Sequence, residues 1–140
     1  MEQSLLQKVT EHLIKHEGLK LKPYRCPAGK LTIGVGRNLE AIGISQKEAL
    51  VLLENDILRC ESELLADLPD IYSGLNETRK SVLLNMCFNL GITGLLGFRN
   101  TLAFIGSGDF ERAANGMLAS RWAKQVGRRA IELSELMRKG

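Results

Sequence analysis

The chain is poor in the residues that build metal or disulfide frameworks. Its 140 residues include only three cysteines, Cys26, Cys60 and Cys87, and two histidines, His12 and His16. An odd number of widely spaced cysteines with no C-x-x-C pair argues against a disulfide scaffold or a zinc centre, so neither metal nor cofactor is expected. Long apolar runs are also missing. The longest is the five residues from Ala49 to Leu53, against about 20 for a bilayer-spanning helix. Glu2, Lys8 and Glu11 break up the N-terminal stretch, so no signal peptide is read there and synthesis in a reducing cytoplasm is expected, without stable membrane insertion. No repeat or low-complexity segment occurs. With 44% hydrophobic and 25% charged residues, the composition excludes disorder and fits one soluble domain over residues 1–140.

The net charge of +3 hides a pattern. Residues 1–39 hold seven basic and three acidic side chains, residues 40–110 five and ten, and residues 111–140 seven and three. The three parts therefore carry +4, −5 and +4. A chain folding its two ends together would present a basic side suited to an acidic polymer, without the dense Lys/Arg clusters of nucleic-acid binding. A solvated mixed surface is the plainer alternative.

Leu and Ala total 34 residues against 14 for Val and Ile, and apolar spacings of three and four predominate, so the fold class is α+β, mainly α. Ser4 and Gln7 read as a capping box for a helix over about residues 5–17, with Leu6, Val9 and Leu13 on one face and Gly18 as its stop. Residues 23–36 change character and predict a β-hairpin. In its second strand Leu31, Ile33 and Val35 share one face, while Thr32, Gly34 and Gly36 share the other. Ser45 and Glu48 open a long helix over about 46–66, with Ala49, Leu53, Ile57, Cys60 and Leu64 as its apolar stripe, ending before Pro69. Asn76 caps a buried central helix containing Val82 to Leu90. After the turn-rich Gly91 to Gly97, shorter helices are predicted at about 99–105, 110–119 and 128–138.

Glu17 lies at the C-terminal end of helix one, where unpaired carbonyls oppose a second negative charge and push a carboxyl pKa upward. Shielding by Leu19, Leu21 and the hairpin would add to the shift, which is the condition a general acid needs. An exposed Glu, or one paired to Arg or Lys, is the plain alternative. Cys26 and Thr32 follow at nine and fifteen residues, and Thr32 shares its strand face with the bare backbone of Gly34, a surface able to receive a sugar ring. Taken alone, Thr32 is also an ordinary strand residue and Cys26 a small hydrophobe.

The stretch from His16 to Cys26, followed by Gly29-Lys30-Leu31-Thr32-Ile33-Gly34-Val35-Gly36, resembles the catalytic segment of the bacteriophage-type, T-even phage-like lysozymes and endolysins. Glu17, eight residues, Cys26, five residues, Thr32 fits that family's pattern of Glu, Asp or Cys, and Thr without a gap. Asn85-Met86-Cys87-Phe88-Asn89-Leu90-Gly91, Thr93-Gly94, Gly97-Phe98, Asn100-Thr101-Leu102 and Ser120-Arg121-Trp122 are similar as well, so the resemblance covers nearly the whole chain.

The resemblance implies a two-lobed fold, with a small lobe over about 18–60 and a helical lobe made of 1–17 plus 67–140, joined by the long helix. It also implies hydrolysis of the β-1,4 bond between N-acetylmuramic acid and N-acetylglucosamine in peptidoglycan. Glu17 would be the general acid, and Cys26 and Thr32 would position or activate the attacking water. An inverting outcome would set the Glu17 and Cys26 groups about 6.5–9.5 Å apart. A thiol beside a carboxylate is expected to have a raised pKa and to be largely neutral. Gly34, Asn38, Phe88, Asn89 and Thr101 match substrate-contacting positions, although Asn38 and Gly116 stand where the T-even member has Leu and Asn. Arg37 replaces a His that belongs to an ion pair in relatives. Arg129 matches the residue that pairs with the catalytic Glu. The implied partners are peptidoglycan and no nucleic acid, for a monomer that reaches the wall through a holin-permeabilised membrane to lyse the host.

Three other readings share parts of this pattern. A lytic transglycosylase would cut the same bond with one Glu and no water, needing neither Cys26 nor Thr32. A wall-binding module with a dead site would dispense with Glu17. Ser45-Gln46-Lys47-Glu48-Ala49 begins like a helix-turn-helix, but it lies in the acidic middle part, which is wrong for phosphate contact.

Overall fold

Helix α1 (Gln3–Glu17) opens the computed structural model, which describes all 140 residues. It starts before the predicted Ser4 cap. Glu2 holds the N-cap position without a side-chain bond, and Ser4 lies inside the first turn. Gly18 ends it at φ +80, its N–H donating to the Ile14 carbonyl at 2.8 Å. That conformation suits glycine, which lacks the Cβ that would clash. Leu6, Val9 and Leu13 share a face as expected, yet they are 51%, 41% and 46% exposed, and α1 buries no residue.

The hairpin gains a third strand. β1 (Lys20–Arg25), β2 (Leu31–Gly34) and β3 (Arg37–Asn38) form an antiparallel sheet in that order. Strand β2 stops at Gly34, one pleat short of the predicted alternation, because Val35 and Gly36 turn the chain with Gly36 at φ +67. The register sets Tyr24 opposite Thr32 and Thr32 opposite Asn38.

Helix α2 (Gln46–Asp67) begins with the reciprocal capping box its sequence specifies. Glu48 N–H donates to Ser45 Oγ at 3.1 Å, and Ser45 N–H donates to Glu48 Oε1 at 2.9 Å. The Glu48 carboxylate also receives the Arg37 guanidinium at 2.9 Å, and Arg37 donates to the Gly43 carbonyl. Arg37 therefore does not simply delete the ion pair expected of a His at its position. Its longer side chain reaches the start of α2 and makes a pair of its own.

The chain forms two compact units, Met1–Val51, which contains α1 with the sheet, and Leu52–Gly140. Helix α2 starts in the first and continues into the second. Of its predicted apolar stripe, Cys60 and Leu64 are buried, whereas Leu53 and Ile57 are about 40% exposed. The second unit continues with α3 (Pro69–Ser73), α4 (Glu77–Leu96), α5 (Arg99–Gly106), α6 (Phe110–Leu118), α7 (Arg121–Val126) and α8 (Arg128–Lys139).

Asn76 caps α4 as predicted, its Oδ1 accepting the Arg79 N–H at 2.9 Å. Val82, Leu83, Met86 and Cys87 are buried in the core of this unit. Gly91, at φ +76 and ψ 160, breaks the helix, which then resumes to Leu96 where a turn-rich stretch was expected. The short α7 was also unexpected. Ser120 caps it by accepting the Ala123 N–H at 3.1 Å, and Trp122 anchors it in the core. Arg79 closes the unit, donating to the carbonyls of Met137 and Arg138 at 2.7 and 3.0 Å while its guanidinium lies 3.4 Å over the Phe110 ring. A cation is favourable at those last carbonyls of α8. No single helix is long and apolar enough to cross a membrane.

The Glu48 cluster sets an acid limit on the first unit. The Arg37 hydrogen bond, followed by the Ser45 backbone and side-chain bonds, holds the Glu48 carboxyl down from its ordinary 4.5 to about 2. A lowered folded-state value contributes stability above the unfolded value, and that contribution is lost as pH falls from about 4.5 towards 2. Glu48→Gln should be less stable than wild type at pH 7 and should flatten the acid dependence across that window. Urea midpoints measured from pH 7 to pH 2 check this, and parallel curves for the two proteins would contradict it.

Candidate active site

Cross-strand pairing builds the site. Directly paired residues of antiparallel strands project from the same face, so Tyr24, Thr32 and Asn38 form one row across all three strands. Cys26, two residues beyond Tyr24, lies just past the end of β1. These four, with His16, Glu17, Pro27 and Gly36, line one concavity of about 420 Å³. Thr32 is 3% exposed at its centre. The three candidate catalytic residues are thus assembled within the first unit. Sequence reasoning did not single out Tyr24 and His16 as lining residues. The two-residue spacing of Tyr24 and Cys26 was the available signal for Tyr24.

The Gly36 turn brings the Glu17 carboxyl to this row. A Cβ built at Gly36 would stand 2.8 Å from Glu17 Oε2, so a larger residue there would displace the carboxyl. The glycine face predicted to receive a sugar is therefore divided. At Gly36 it is occupied by Glu17, while at Gly34 a Cβ would meet nothing within 4 Å. The expected shielding of Glu17 by its neighbours is absent. Leu19 and Leu21 are 58% and 84% exposed, because most of β1 turns its side chains to solvent, and Glu17 itself is exposed.

Cys26 differs in sign from its expected behaviour. Its thiol lies below the ordinary value, chiefly through the Lys30 backbone hydrogen bond, against a burial effect that raises it, with further lowering from the Ala28 backbone and the Thr32 side chain. The tight turn after Cys26, where Gly29 N–H donates to the Cys26 carbonyl and Cys26 N–H to Lys30, folds these donors around the sulfur. Amides aimed at an anion favour the charged form. The Thr32 hydroxyl donates to the Lys30 carbonyl at 2.8 Å. It has a single proton, so serving a Cys26 thiolate requires that proton to turn from Lys30 to the sulfur. Asn38 Oδ1 accepts the Ala41 N–H at 3.0 Å, which leaves the Asn38 NH2 as its donor for a ligand.

The remaining candidates lie in the second unit. Phe88 and Arg129 line a largely apolar concavity of about 370 Å³ with Leu53, Ile57 and Leu84. Asn85 Oδ1 accepts both Arg129 Nε and Arg129 Nη2, at 2.9 and 2.7 Å. Asn89 Oδ1 accepts the Trp122 indole N–H at 2.7 Å, so this residue anchors a core aromatic besides presenting its amide nitrogen. Thr101 is buried and borders a separate concavity of about 540 Å³ with Arg99, Ser120 and Arg121. A Cβ at Gly116 would stand 2.6 Å from Thr101 Oγ1, so glycine at this position makes room for the Thr101 hydroxyl.

The phage lysozyme family matches residues 14–139. An endolysin of Acyrthosiphon pisum secondary endosymbiont phage 1 is 31% identical over 82% of this chain and 78% of its own length. A probable T4-type lysozyme 1 of Dictyostelium discoideum is 24% identical over 97% of this chain and 96% of its own length. The pre-baseplate central spike protein Gp5 of Enterobacteria phage T4 is 26% identical over 94% of this chain, which spans 28% of that protein. With the family matched from the last turn of α1 almost to the C terminus, and a relative above 30% identity covered over most of its length, the chain belongs to the phage lysozyme family.

Proposed function

We propose that this lysozyme-type peptidoglycan hydrolase cleaves the β-1,4 bond between N-acetylmuramic acid and N-acetylglucosamine, with Glu17 as general acid and Cys26 and Thr32 handling the attacking water. The observation that carries the reading is the shared concavity of Glu17, Cys26 and Thr32. Glu17 gives its proton to the leaving glycosidic oxygen as the bond to the anomeric carbon breaks. A water on the opposite face of the sugar attacks that carbon and gives its proton to the Cys26 thiolate, while Thr32 orients the water. The outcome is inversion.

Gly34, with open space over its backbone, and the Asn38 amide supply sugar contacts on the sheet. Phe88, Asn89 and Thr101 are the helical residues that match substrate-contacting positions, and Arg129, held by Asn85, is the supporting cation. The protein acts as a monomer in one domain, without nucleic acid. It is made in the host cytoplasm and reaches the wall once a holin permeabilises the membrane, where hydrolysis lyses the host.

The lowered Cys26 pKa favours a base at this position, and it also admits a second route. The thiolate attacks the anomeric carbon directly, giving a thioglycosyl enzyme that water then hydrolyses with net retention. Product stereochemistry separates the two. An NMR time course should show the α-anomer of the new muramic acid reducing end first, whereas the β-anomer first would establish the covalent route. Cys26→Ser should lower the rate roughly 10²–10⁴-fold, and Cys60→Ser should leave it within a few-fold of wild type. Equal effects of the two substitutions would remove Cys26 from the mechanism.

Thiol chemistry provides a further check. Iodoacetamide should alkylate Cys26 with a midpoint below that of the same cysteine in the urea-unfolded chain, the rate falling as pH drops through the lowered pKa. Thr32→Val should move that midpoint upward. Cys60 and Cys87 should remain unmodified in the folded protein, since both are buried and burial pushes the Cys87 thiol up to about 12. Mass spectrometry of each cysteine reads the profile, and a Cys26 midpoint at or above the unfolded-chain value would contradict this assignment.

A further inference from the structure

The two histidines lie on one helix, outside the proposed mechanism. His12 and His16 are separated by one turn of α1, their rings 6.4 Å apart between centroids and inclined by only 26°. Residues at i and i+4 are neighbours on a helix surface, and two imidazoles so placed are the two-nitrogen face that binds zinc in helical metal motifs. Both side chains are exposed. Each can therefore rotate to bring a ring nitrogen to the Zn–N distance of about 2.0–2.1 Å without disturbing any packing.

The electrostatic setting is mixed. His16 lies in the last turn of α1, where the free carbonyls favour a cation, and Glu17 follows it. Lys8, one turn before His12, and Lys15 oppose a cation. No third His, Cys, Asp or Glu joins the pair, so an ion held there would need water to complete its coordination sphere and would exchange. A centre holding the fold together would need a fuller protein set.

We propose that His12 and His16 form an exchangeable site for a borderline transition-metal dication of the Zn2+, Ni2+ or Cu2+ class, at the edge of the active-site concavity. Imidazole suits these ions, while Mg2+ and Ca2+ prefer oxygen. His16 also lines the concavity of Glu17, Cys26 and Thr32. A dication held there stands beside the general acid and inhibits hydrolysis. The inhibitory clause rests on the proposed function, whereas the binding clause does not.

Isothermal titration of the full chain with NiCl2 tests the site, using wild type, His12→Asn, His16→Asn and Cys26→Ser with matched circular dichroism. One Ni2+ per chain is expected for wild type and for Cys26→Ser, with affinity at least about tenfold weaker in either histidine variant, a loss of roughly 1.4 kcal/mol. Unchanged binding by His12→Asn, or loss of binding in Cys26→Ser alone, would overturn the site and assign the ion to the thiol. In turnover assays, Ni2+ should inhibit wild type and spare His12→Asn, which should match wild type without metal. Binding without inhibition would overturn the inhibitory clause. A wild type inactive on peptidoglycan would count against the proposed function, while the titration still decides the site.

Discussion

The close approach of the Glu17 carboxyl to Gly36 is the constraint on which the candidate site depends. Glu17 is the last residue of α1, and Gly36 forms the turn between β2 and β3. With 2.8 Å between Oε2 and the place a Cβ would take, only glycine lets the carboxyl lie against that turn. The positive φ of Gly36 acts in the same direction, since it turns the chain so that Asn38 pairs with Thr32. One residue type thus meets two demands, a backbone conformation and a vacancy, and together they bring the helix end and the sheet row to one concavity.

Within that concavity the proposed base, Cys26, is a thiol. A free thiol is mostly protonated at neutral pH, and a neighbouring carboxylate alone would keep it so. The turn from Pro27 to Lys30 changes the balance by aiming backbone donors at the sulfur, with the Thr32 hydroxyl as an additional donor. Thr32 donates to the Lys30 carbonyl, and it serves a thiolate only if that single proton turns to the sulfur. The conserved proton count makes the pair a unit, so a change at Thr32 should be felt at Cys26.

Several local signals were legible in the sequence, although the Ser4/Gln7 box did not form because α1 starts one residue before Ser4. The Ser45/Glu48 capping box, the Asn76 cap and the Gly18 stop depend on residues within four positions of each other, and each formed as written. The α+β class, the family and the grouping of Glu17, Cys26 and Thr32 were legible as well. Features set by distant partners were not. β3 is two residues long and has no pattern of its own, so its pairing, and with it the Tyr24–Thr32–Asn38 row, was invisible. Arg37 was read for the partner it lost, whereas its reach to Glu48 across eleven positions supplied another. The Cys26 shift was expected in the wrong direction because the Glu17 carboxylate was weighed and the amides of a four-residue turn were not. The continuation of the helix beyond Gly91 followed from a single glycine taking the break, leaving Gly94 and Gly97 in helical conformations.

Proton delivery by Glu17 to a glycosidic bond in peptidoglycan is tested by turbidity clearing of outer-membrane-permeabilised cells with purified wild type and Glu17→Gln, an amide of nearly the same shape that cannot give up a carboxyl proton, with folding matched by circular dichroism. Wild type should clear the cells, and the variant should do so at a rate lower by roughly 10²–10⁴-fold. Equal clearing by both proteins, or none by either, would contradict proton delivery by Glu17.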